Sequence, residues 1–372
     1  MKFNRYALSD LATIKYGKNQ KKVLSESGNI PIYGTGGLMG YATTALYDKP
    51  SVLIGRKGTI GKVKYVEHPF WTVDTLFYTI VNTDIVLPKY LYYVMSLVDL
   101  NNYNEGTTIP SLRTETLNRL EFDIPSLVEQ ETILSCLNPI DEKIALNNAI
   151  NNNLEQQAEA IFQSILSKAI TTVNLGEIAD VKGGKRLPKG VNLTDIPNAH
   201  PYIRVRDLNN VLFASLTPNY AYVDKETQKS ISRYIVSTGD VLISIVGTIG
   251  LTAIVDSTLD KANLTENCVK VTNLKHITPE YLLLYLRSQL GREAIAKGTV
   301  GAVQQKLPIK NIQAIPIPLL SEKDKNALFC TLDSIFAGIS NNVIQSAKLA
   351  SLRDTLLPRL MSSELDVSDI DL

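Results

Sequence analysis

The chain of 372 residues contains only three cysteines and three histidines. The cysteines, Cys136, Cys268 and Cys330, are too far apart to have the spacing of metal ligands or of a disulfide framework. This usage is typical of a reducing compartment. The histidines show no helical pairing, so the sequence indicates neither a zinc site nor a histidine-based catalytic centre.

Long apolar runs are also missing. No stretch is apolar and long enough to span a membrane, and the N-terminus lacks the apolar run of a signal peptide. We therefore expect a cytoplasmic protein without a membrane partner. The Asn/Asp-Pro-Pro-Tyr motif of amino-methyltransferases is absent, since Asn138-Pro139 lacks the second proline and the aromatic residue. No acidic-pair nuclease signature is present either, which favours a recognition protein over an enzyme.

The net charge of +1 conceals a segregation of charge along the chain. Counted from the sequence, residues 1–125 carry a net charge of +3 and residues 173–318 carry +5. The segments that follow each of them, residues 126–172 and 319–372, carry −4 and −3. Two basic segments held apart by an acidic spacer favour a nucleic-acid partner more than one mildly basic domain does.

Two segments have apolar residues at alternating spacings of four and three, which predicts long helices with a heptad seam. The seam of the first segment, residues 126–169, consists of Ile133, Leu137, Ile140, Ile144, Leu154, Ala158, Ile161 and Ile165. The seam of the second consists of Leu328, Leu332, Ile335, Ile339, Leu349, Leu352 and Leu356. We predict that the two helices pair with each other and that Pro139 kinks or breaks the first. The polar seam positions, which would meet midway along an antiparallel pair, are Asn147, Asn151, Asn342 and Ser346.

The rest of the sequence is a repeat with a period close to half the chain. The matching segments are 8–18 with 175–185, 52–61 with 241–250, 87–91 with 278–282, and 106–108 with 298–300. In each copy an apolar strand ends in Gly-Thr-Ile-Gly before a returning strand, and a proline opens a helix. So long a period excludes a solenoid and indicates a duplicated domain plus helix.

The turn at residues 55–62 has glycines like those of a phosphate-binding loop, but with the wrong spacing. No glycine stands four residues before a Gly-Lys pair, and Val63 takes the place of the required Ser or Thr. A tight turn between strands that needs glycine dihedrals accounts for the glycines. Such a turn also lets backbone amides approach phosphates, here beside Arg56, Lys57 and Lys62.

Taken together, these segments resemble the specificity subunit of a type I restriction–modification system over essentially the whole chain. The resemblance rests on the duplication and on the order of the segments 30–37, 52–61, 70–77, 124–131 and 356–365. The second copy departs from the pattern at 318–324, which lacks the glutamine that follows Glu129 in the first copy.

The resemblance implies two target-recognition domains, each reading one half of a bipartite double-stranded DNA site for phage defence. It also implies that the two helices pair antiparallel, set the spacing between the half-sites and bind two modification subunits. Those subunits would carry S-adenosylmethionine and methylate adenine, and two restriction subunits would add cleavage that depends on ATP and Mg²⁺. No cofactor, metal or catalytic residue is expected in this chain.

We accordingly predict an α+β fold with two duplicated target-recognition domains, mixed β-sheets and an antiparallel coiled coil of two long helices. The predicted domains are 1–125 and 173–318, and the predicted helical segments are 126–172 (central) and 319–372 (distal, with the C-terminal tail).

The hypothesis names DNA-facing side chains in both domains, because basic and polar side chains on loops can reach phosphates and base edges. In the first domain they are Lys18, Tyr33, Thr35, Arg56, Lys57, Thr59, Lys62, Thr107 and Arg113. In the second they are Lys185, Arg186, Arg204, Arg206, Arg233, Thr248, Asn267, Thr299, Gln304, Gln305 and Lys306. Arg56 and Lys57 would read phosphates or guanine, and the adjacent pair Gln304 and Gln305 would read adenine.

Two other classes of protein fit parts of this pattern. An enzyme could use the glycine-rich turns to hold a nucleotide or sugar phosphate, and tight nucleotide binding by the isolated chain would favour it. A coiled-coil scaffold could bind only proteins, and the absence of salt-dependent DNA affinity would favour that.

Overall fold

The structure is a computed structural model that describes residues 2–217, 220–301 and 304–365. The chain divides into two compact units. The first unit comprises the described residues of Met1–Ala145 and Ser346–Leu372, and the second comprises those of Leu146–Gln345. Each of the two long helices therefore contributes one part to each unit, while the predicted four-part division by function stays a prediction.

Three sheets, three short α-helices and a 3₁₀ helix at Leu100–Tyr103 form the globular part of the first unit. The strands are β1 Asn4–Ala7, β2 Ala12–Tyr16, β3 Ile30–Gly34, β4 Gly37–Ala42, β5 Ser51–Gly55, β6 Val63–Val66, β7 Trp71–Thr72, β8 Leu76–Val81 and β9 Glu121–Ile124. The helices are α1 Leu8–Leu11, α2 Pro88–Ser96 and α3 Thr114–Asn118. The sheet orders are β2-β8-β5-β6, β4-β3-β7 and β1-β9, and β3 pairs with β7 in parallel while the other strand pairs are antiparallel among the described residues of this unit. The predicted mixed sheets are thus confirmed for this unit.

Strand β5 and helix α2 form much of the core of the first unit. Every residue of β5 is buried, because the strand lies between β8 and β6 and its Val-Leu-Ile run packs on both faces of the sheet. Helix α2 begins at Pro88, as predicted, and buries Tyr90, Leu91 and Met95 completely. This packing fixes the start of the loop that follows β5.

The first long helix, α4, spans Leu127–Leu166 without a break. The prediction that Pro139 could break it is therefore wrong, although proline removes one backbone donor from the helix. Ile133, Leu137 and Ala158 of the predicted seam are completely buried. Phe162 lies outside the seam and is buried too. It packs edge-to-face against Tyr281 of the same unit, with the ring centroids 5.0 Å apart. The helix thus contributes to a globular core as well as to a helix pair.

The globular part of the second unit repeats the architecture of the first. Its strands are β10 Thr171–Asn174, β11 Asp180–Gly183, β12 Pro201–Ile203, β13 Phe213–Ala214, β14 Ala221–Tyr222, β15 Val241–Ser244, β16 Thr252–Val255, β17 Asn263–Leu264, β18 Cys268–Thr272 and β19 Pro316–Leu319. Its helices are α5 Leu175–Ile178, α6 Lys225–Ile231, α7 Pro279–Arg287, α8 Gln289–Gly298 and α9 Ile309–Gln313. The sheets have the orders β11-β18-β15-β16-β13, β14-β12-β17 and β10-β19. Strand β15 and helix α7 occupy the places that β5 and α2 hold in the first unit, which confirms the duplication.

The second long helix, α10, spans Glu322–Met361 and pairs antiparallel with α4. Within the second unit, Asn147 Nδ2 donates to Gln345 Oε1 at 2.9 Å and Asn342 Nδ2 donates to Asn151 Oδ1 at 2.8 Å. As numbers rise along α4 they fall along α10, which defines the antiparallel direction. The predicted cross-helix contact of the asparagines is confirmed, and Gln345 is a partner that the seam pattern missed because it lies beside the seam.

By length and composition, α10 is apolar enough to count as a candidate membrane span. The expectation that no stretch qualifies is therefore wrong by that measure. The physical reason is the number of apolar residues on this helix: Leu328 and Leu332 are buried in the second unit and Leu360 in the first, although only 22% of the apolar window is buried. A core helix of a soluble protein passes the same test, so the feature is weak evidence for a membrane.

Replacing Asn147 by leucine should raise the free energy of unfolding by about 1 kcal/mol while weakening helix register. Asn147 is fully buried, whereas its partner Gln345 is exposed and can be hydrated once the bond is lost. Urea denaturation measures the first effect, and light scattering detects wrong oligomers. Asn153→Leu, at an exposed position of the same helix, is the control. Unchanged stability together with an unchanged oligomeric state would contradict the register role.

Candidate nucleic-acid interface

In the first unit, the turn after β5 lies against the chain segment 104–113. The amide of Gly58 donates to the carbonyl of Pro110 at 2.9 Å, and the amide of Leu112 donates to the carbonyl of Arg56 at 2.9 Å. Lys57 forms an isolated bridge with Ser111. Gly58 has a φ of +85°, as the sequence predicts for a turn that needs glycine. Two loops far apart in sequence are thereby joined into one surface.

The second unit contains the same arrangement at the matching positions. The amide of Leu307 donates to the carbonyl of Ile245 at 3.0 Å, and Val246 forms an antiparallel backbone β-bridge with Lys306. Gly247 repeats the positive φ of Gly58 with +80°. The side chains differ, however: Arg56 and Lys57 are replaced by Ile245 and Val246. The positive charge has moved to Lys306 on the opposing segment, so equivalent backbones present different chemistry.

Not every expected feature of the first turn is present. The amides of Arg56 and Lys57 donate to the carbonyl of Thr75 at 2.9 and 3.2 Å, and Gly58 is bonded as described. These three amides are therefore not available to a phosphate, because the turn uses them to hold its own loops together.

Two of the predicted lysines follow glycines that are required by close packing. A Cβ on Gly17 would lie 2.0 Å from the carbonyl oxygen of Val73, and a Cβ on Gly184 would lie 2.0 Å from that of Thr265. The next residue is exposed in each case, Lys18 in the first unit and Lys185 in the second. The duplicated Gly-Lys pair thus anchors a backbone against the sheet and leaves a lysine in solvent.

Arg56 and Lys57 are adjacent but have different surroundings. The Arg56 guanidinium lies 4.9 Å from the centroid of the Tyr16 ring and donates from Nη1 to the carbonyl of Asp74 at 2.9 Å. Lys57 is exposed. Arg56 is therefore preoriented, as a base reader needs to be, whereas Lys57 has the freedom of a phosphate contact.

Four of the predicted residues line one cavity of about 330 Å³ in the first unit. They come from the β3–β4 hairpin and from the turn after β5, and they are Tyr33, Thr35, Thr59 and Lys62. Lys64 also lines this cavity and was missed by the sequence analysis, although it lies only two residues after Lys62, on β6. Its Nζ lies 3.8 Å from the centroid of the Tyr33 ring. Desolvation lowers the pKa of the Lys64 ammonium.

The remaining first-unit candidates lie around this cluster. Thr107 is exposed on the segment that adjoins the turn. Arg113 is exposed as well, but its Nε lies 3.1 Å from a carboxylate oxygen of Glu105, so it starts from an ion pair. Lys18 is bonded through its amide to the carbonyl of Thr72, which pairs with Tyr33. These contacts place Lys18 beside the strand of Tyr33 and the segment 104–113 beside the turn after β5.

A second group of candidates lies beside β17 and β18. Lys185 places its ammonium 5.4 Å from the ring centroid of Tyr234, next to the exposed Arg233. Arg186 is exposed and lies 3.5 Å from Glu266. Asn267 is half-buried. Its backbone carbonyl accepts a hydrogen bond from the amide of Ile245 at 2.8 Å, which links this group to the turn after β15.

Two arginines of the second unit are placed less favourably. Arg204 donates from Nε and Nη2 to the carboxylate of Asp207 at 3.1 and 3.3 Å, and only 19% of its side chain is exposed. This ion pair holds the turn after β12 rather than presenting a charge. Arg206 is exposed but lines a separate cavity of about 480 Å³ with Tyr220 and Glu155. The structure thus does not place Arg206 with the turn after β15.

The last group surrounds that turn. Thr248 is exposed in the turn itself, and Thr299 is half-buried with its hydroxyl donating to the carbonyl of Ile295 at 2.8 Å. Gln304, Gln305 and Lys306 are all exposed. The bridges of Lys306 to Val246 and Val300 bring this segment to the turn, as the hypothesis requires.

Among residues 2–217, 220–301 and 304–365, no group of three or more metal-ligating side chains could hold a metal ion. Two copies of one α+β unit, each with a turn cluster and parts of the same two long helices, define a duplicated recognition protein.

Comparison with known proteins gives this class its family. A family model described as the type I restriction modification DNA specificity domain matches residues 2–156 and 168–348. Because the matches cover more than half of the chain, the chain belongs to this family and is a DNA-sequence-recognition subunit of a type I restriction–modification system.

Several relatives have the same description. The type I restriction enzyme MjaIX specificity subunit of Methanocaldococcus jannaschii is 23% identical over 359 residues, covering 87% of this chain and 80% of that protein. The HindI specificity subunit of Haemophilus influenzae is 32% identical over 113 residues, but these cover only 28% and 25% of the two chains. The crystal structure of an S subunit from M. genitalium covers 97% of this chain and 96% of its own, with 17% identity and a TM-score of 0.57. That likeness supports the fold.

Proposed function

We propose that each unit reads one half of a bipartite double-stranded DNA target. The observation that supports this is the duplicated turn: the backbone and its hydrogen bonds repeat at matching positions, while the side chains change from Arg56 and Lys57 to Ile245 and Val246. Equivalent positions with unlike chemistry are suited to two unlike half-site sequences, called words below. The words should lie on opposite strands in orientation, because duplicated units imply a pseudo-two-fold relation.

The catalytic steps belong, in this proposal, to partner subunits. Two modification subunits would bind S-adenosylmethionine and methylate adenine in the target. Two restriction subunits would bind ATP and Mg²⁺ and cleave unmodified DNA. This chain would act as a non-catalytic specificity subunit in the cytoplasm, and its paired helices would set the spacing between the words and bind the modification subunits.

The proposal is tested by mapping adenine methylation in a genome with and without this gene. We expect a motif of two unlike words with a fixed unread spacer, present only with the gene. Tight nucleotide binding by the isolated chain would favour the phosphate-ligand enzyme, and no DNA affinity in the presence of modification subunits would favour the scaffold.

Substitutions in the first turn should separate the roles of its two basic residues. Lys57→Ala should reduce the slope of log affinity against log salt by about one, with the target words unchanged, because it removes one phosphate contact. Arg56→Ala should cost about 1–3 kcal/mol and relax one position of one word. Fluorescence anisotropy over a salt series and methylation mapping measure these effects. Lys49→Ala, at an exposed position outside the cluster, is the control. If both variants change only the slope, Arg56 is a phosphate contact.

A further inference from the structure

The cavity between the β3–β4 hairpin and the turn after β5 is lined by a glycine that the fold itself does not require. Gly36 lines this cavity, and a Cβ built on it meets nothing within 4 Å. Its φ is not positive, unlike that of Gly37 at +115°. Neither backbone conformation nor packing therefore demands glycine at position 36. The missing side chain keeps space open, and the use of that space must come from outside the chain.

The walls of the cavity indicate what could occupy it. Leu53 and Leu76 supply apolar surface, and Tyr33 is buried, with 7% of the residue exposed. The hydroxyl groups of Thr35 and Thr59 also line the cavity, and each can donate and accept a hydrogen bond. Apolar walls with a few polar groups suit a flat heteroaromatic ring, and the lysines at the same cavity suit the phosphates that flank such a ring in a nucleotide.

The lysines of the cavity complement such a ring. Lys62 and Lys64 both contribute to the lining, and both side chains are exposed to solvent. They are able to neutralise the phosphates on either side of an unstacked nucleotide. The Tyr33 hydroxyl is bonded to Nε2 of His68 at 3.0 Å, so the ring has a fixed orientation.

We propose that this cavity holds one nucleobase that has left the DNA stack. Its volume of about 330 Å³ lies within the range of roughly 300–1,000 Å³ found for small-ligand pockets. Recognition of a flipped base by hydrogen bonds and stacking adds sequence information that groove contacts do not give. The proposal rests on DNA recognition by the first unit and adds a site and a ligand class to it.

The experiment uses the chain purified with its modification subunits and duplexes that contain the mapped target. Each position of both words is replaced in turn by a mismatch that alters only the opposite strand. A mismatch lowers the cost of unpairing, so a duplex that must flip a base binds more tightly. We expect a gain of about tenfold at one position of one word. Gly36→Leu should abolish that gain, and Gly36→Ala should reduce it.

Stability and position controls accompany these variants. Thermal unfolding of Gly36→Leu should be unchanged, because the added side chain enters open space. If the leucine destabilises the fold, Gly36→Ala carries the test with a single methyl group. Leu38→Ala is the matched control, since Leu38 is exposed in the same hairpin and does not line the cavity. A mismatch gain from a base flipped into another subunit would persist in Gly36→Leu.

The outcomes separate this inference from the proposed function. A gain that Gly36→Leu removes and Leu38→Ala retains supports the nucleobase site. Specific binding without any mismatch gain, or with gains that are all equal in Gly36→Leu, overturns it and leaves DNA recognition intact. Failure of the wild-type complex to bind the mapped target overturns the proposed function and this inference together.

Discussion

Arg287→Ala is expected to lower the free energy of unfolding by about 2–4 kcal/mol, the largest single-residue effect predicted for this protein. The guanidinium joins three parts of the second unit. Nη1 lies 3.2 Å from Glu155 on α4, Nη2 donates to the carbonyl of Thr252 at 2.7 Å, and Nη2 also donates to the carbonyl of Val211. Removing it leaves buried acceptors without their donor.

The ion pair with Glu155 is costly to form and more costly to break. Burial raises the pKa of the Glu155 carboxyl, and burial lowers the pKa of the Arg287 guanidinium. For both groups, burial shifts the pKa further than their pairing shifts it back. Truncating one partner leaves the other charge in a poorly hydrated site, while replacing both with apolar residues removes the cost of burying charge. Since 34% of the Glu155 side chain is exposed, we expect a loss below that of a fully buried pair.

A double-variant cycle measures this difference. Arg287→Met combined with Glu155→Leu should be less destabilised than Arg287→Met alone, as judged by urea denaturation. Arg292→Ala changes an exposed arginine five residues away and serves as the control. Equal losses in the single and double variants would show that the lost bonds to the backbone carbonyls, and not the unpaired carboxylate, account for the effect.

Much of the architecture could be predicted because it depends on local pattern. The heptad seams predicted α4 and α10, and the repeated Gly-Thr-Ile-Gly predicted the turns in which Gly58 and Gly247 have positive φ. The pairing of Asn151 with Asn342 followed from the midpoint positions of the polar residues. The helices and the turns are fixed by residues within one or two helical turns or one hairpin, whereas the asparagine pairing also depends on the antiparallel alignment of the two long helices.

The surroundings of individual side chains could not be predicted in the same way. Arg204 forms an ion pair with Asp207, only three residues away. That pair depends on a turn for which the sequence has no periodic signal. Lys64 was missed because its contact with Tyr33 joins two strands far apart in sequence. The space at Gly36 is a property of the folded surface and has no sequence signal beyond the glycine itself. Which of the candidates contact DNA stays a prediction.

Deleting one heptad from each long helix, residues 147–153 and 342–348, should change the DNA target while leaving both words intact. Each deletion shortens its helix by about 10 Å, at roughly 1.5 Å per residue. The two segments overlap across the helix pair, because Asn147 bonds to Gln345 and Asn151 bonds to Asn342, so the deletion removes both polar layers together. Since B-DNA rises about 3.4 Å per base pair, methylation mapping should find a spacer shorter by about three base pairs.

The matched control removes residues 147–153 alone. That deletion leaves the heptad of α10 without its partner, so the seams no longer match, and we expect methylation to be lost rather than moved. The paired deletion is informative only through the spacer, because a change in the words would indicate damage to the units. If the paired deletion methylates normally with an unchanged spacer, the helices do not set the distance between the words. The same spacing would then be kept by helices about one-sixth shorter.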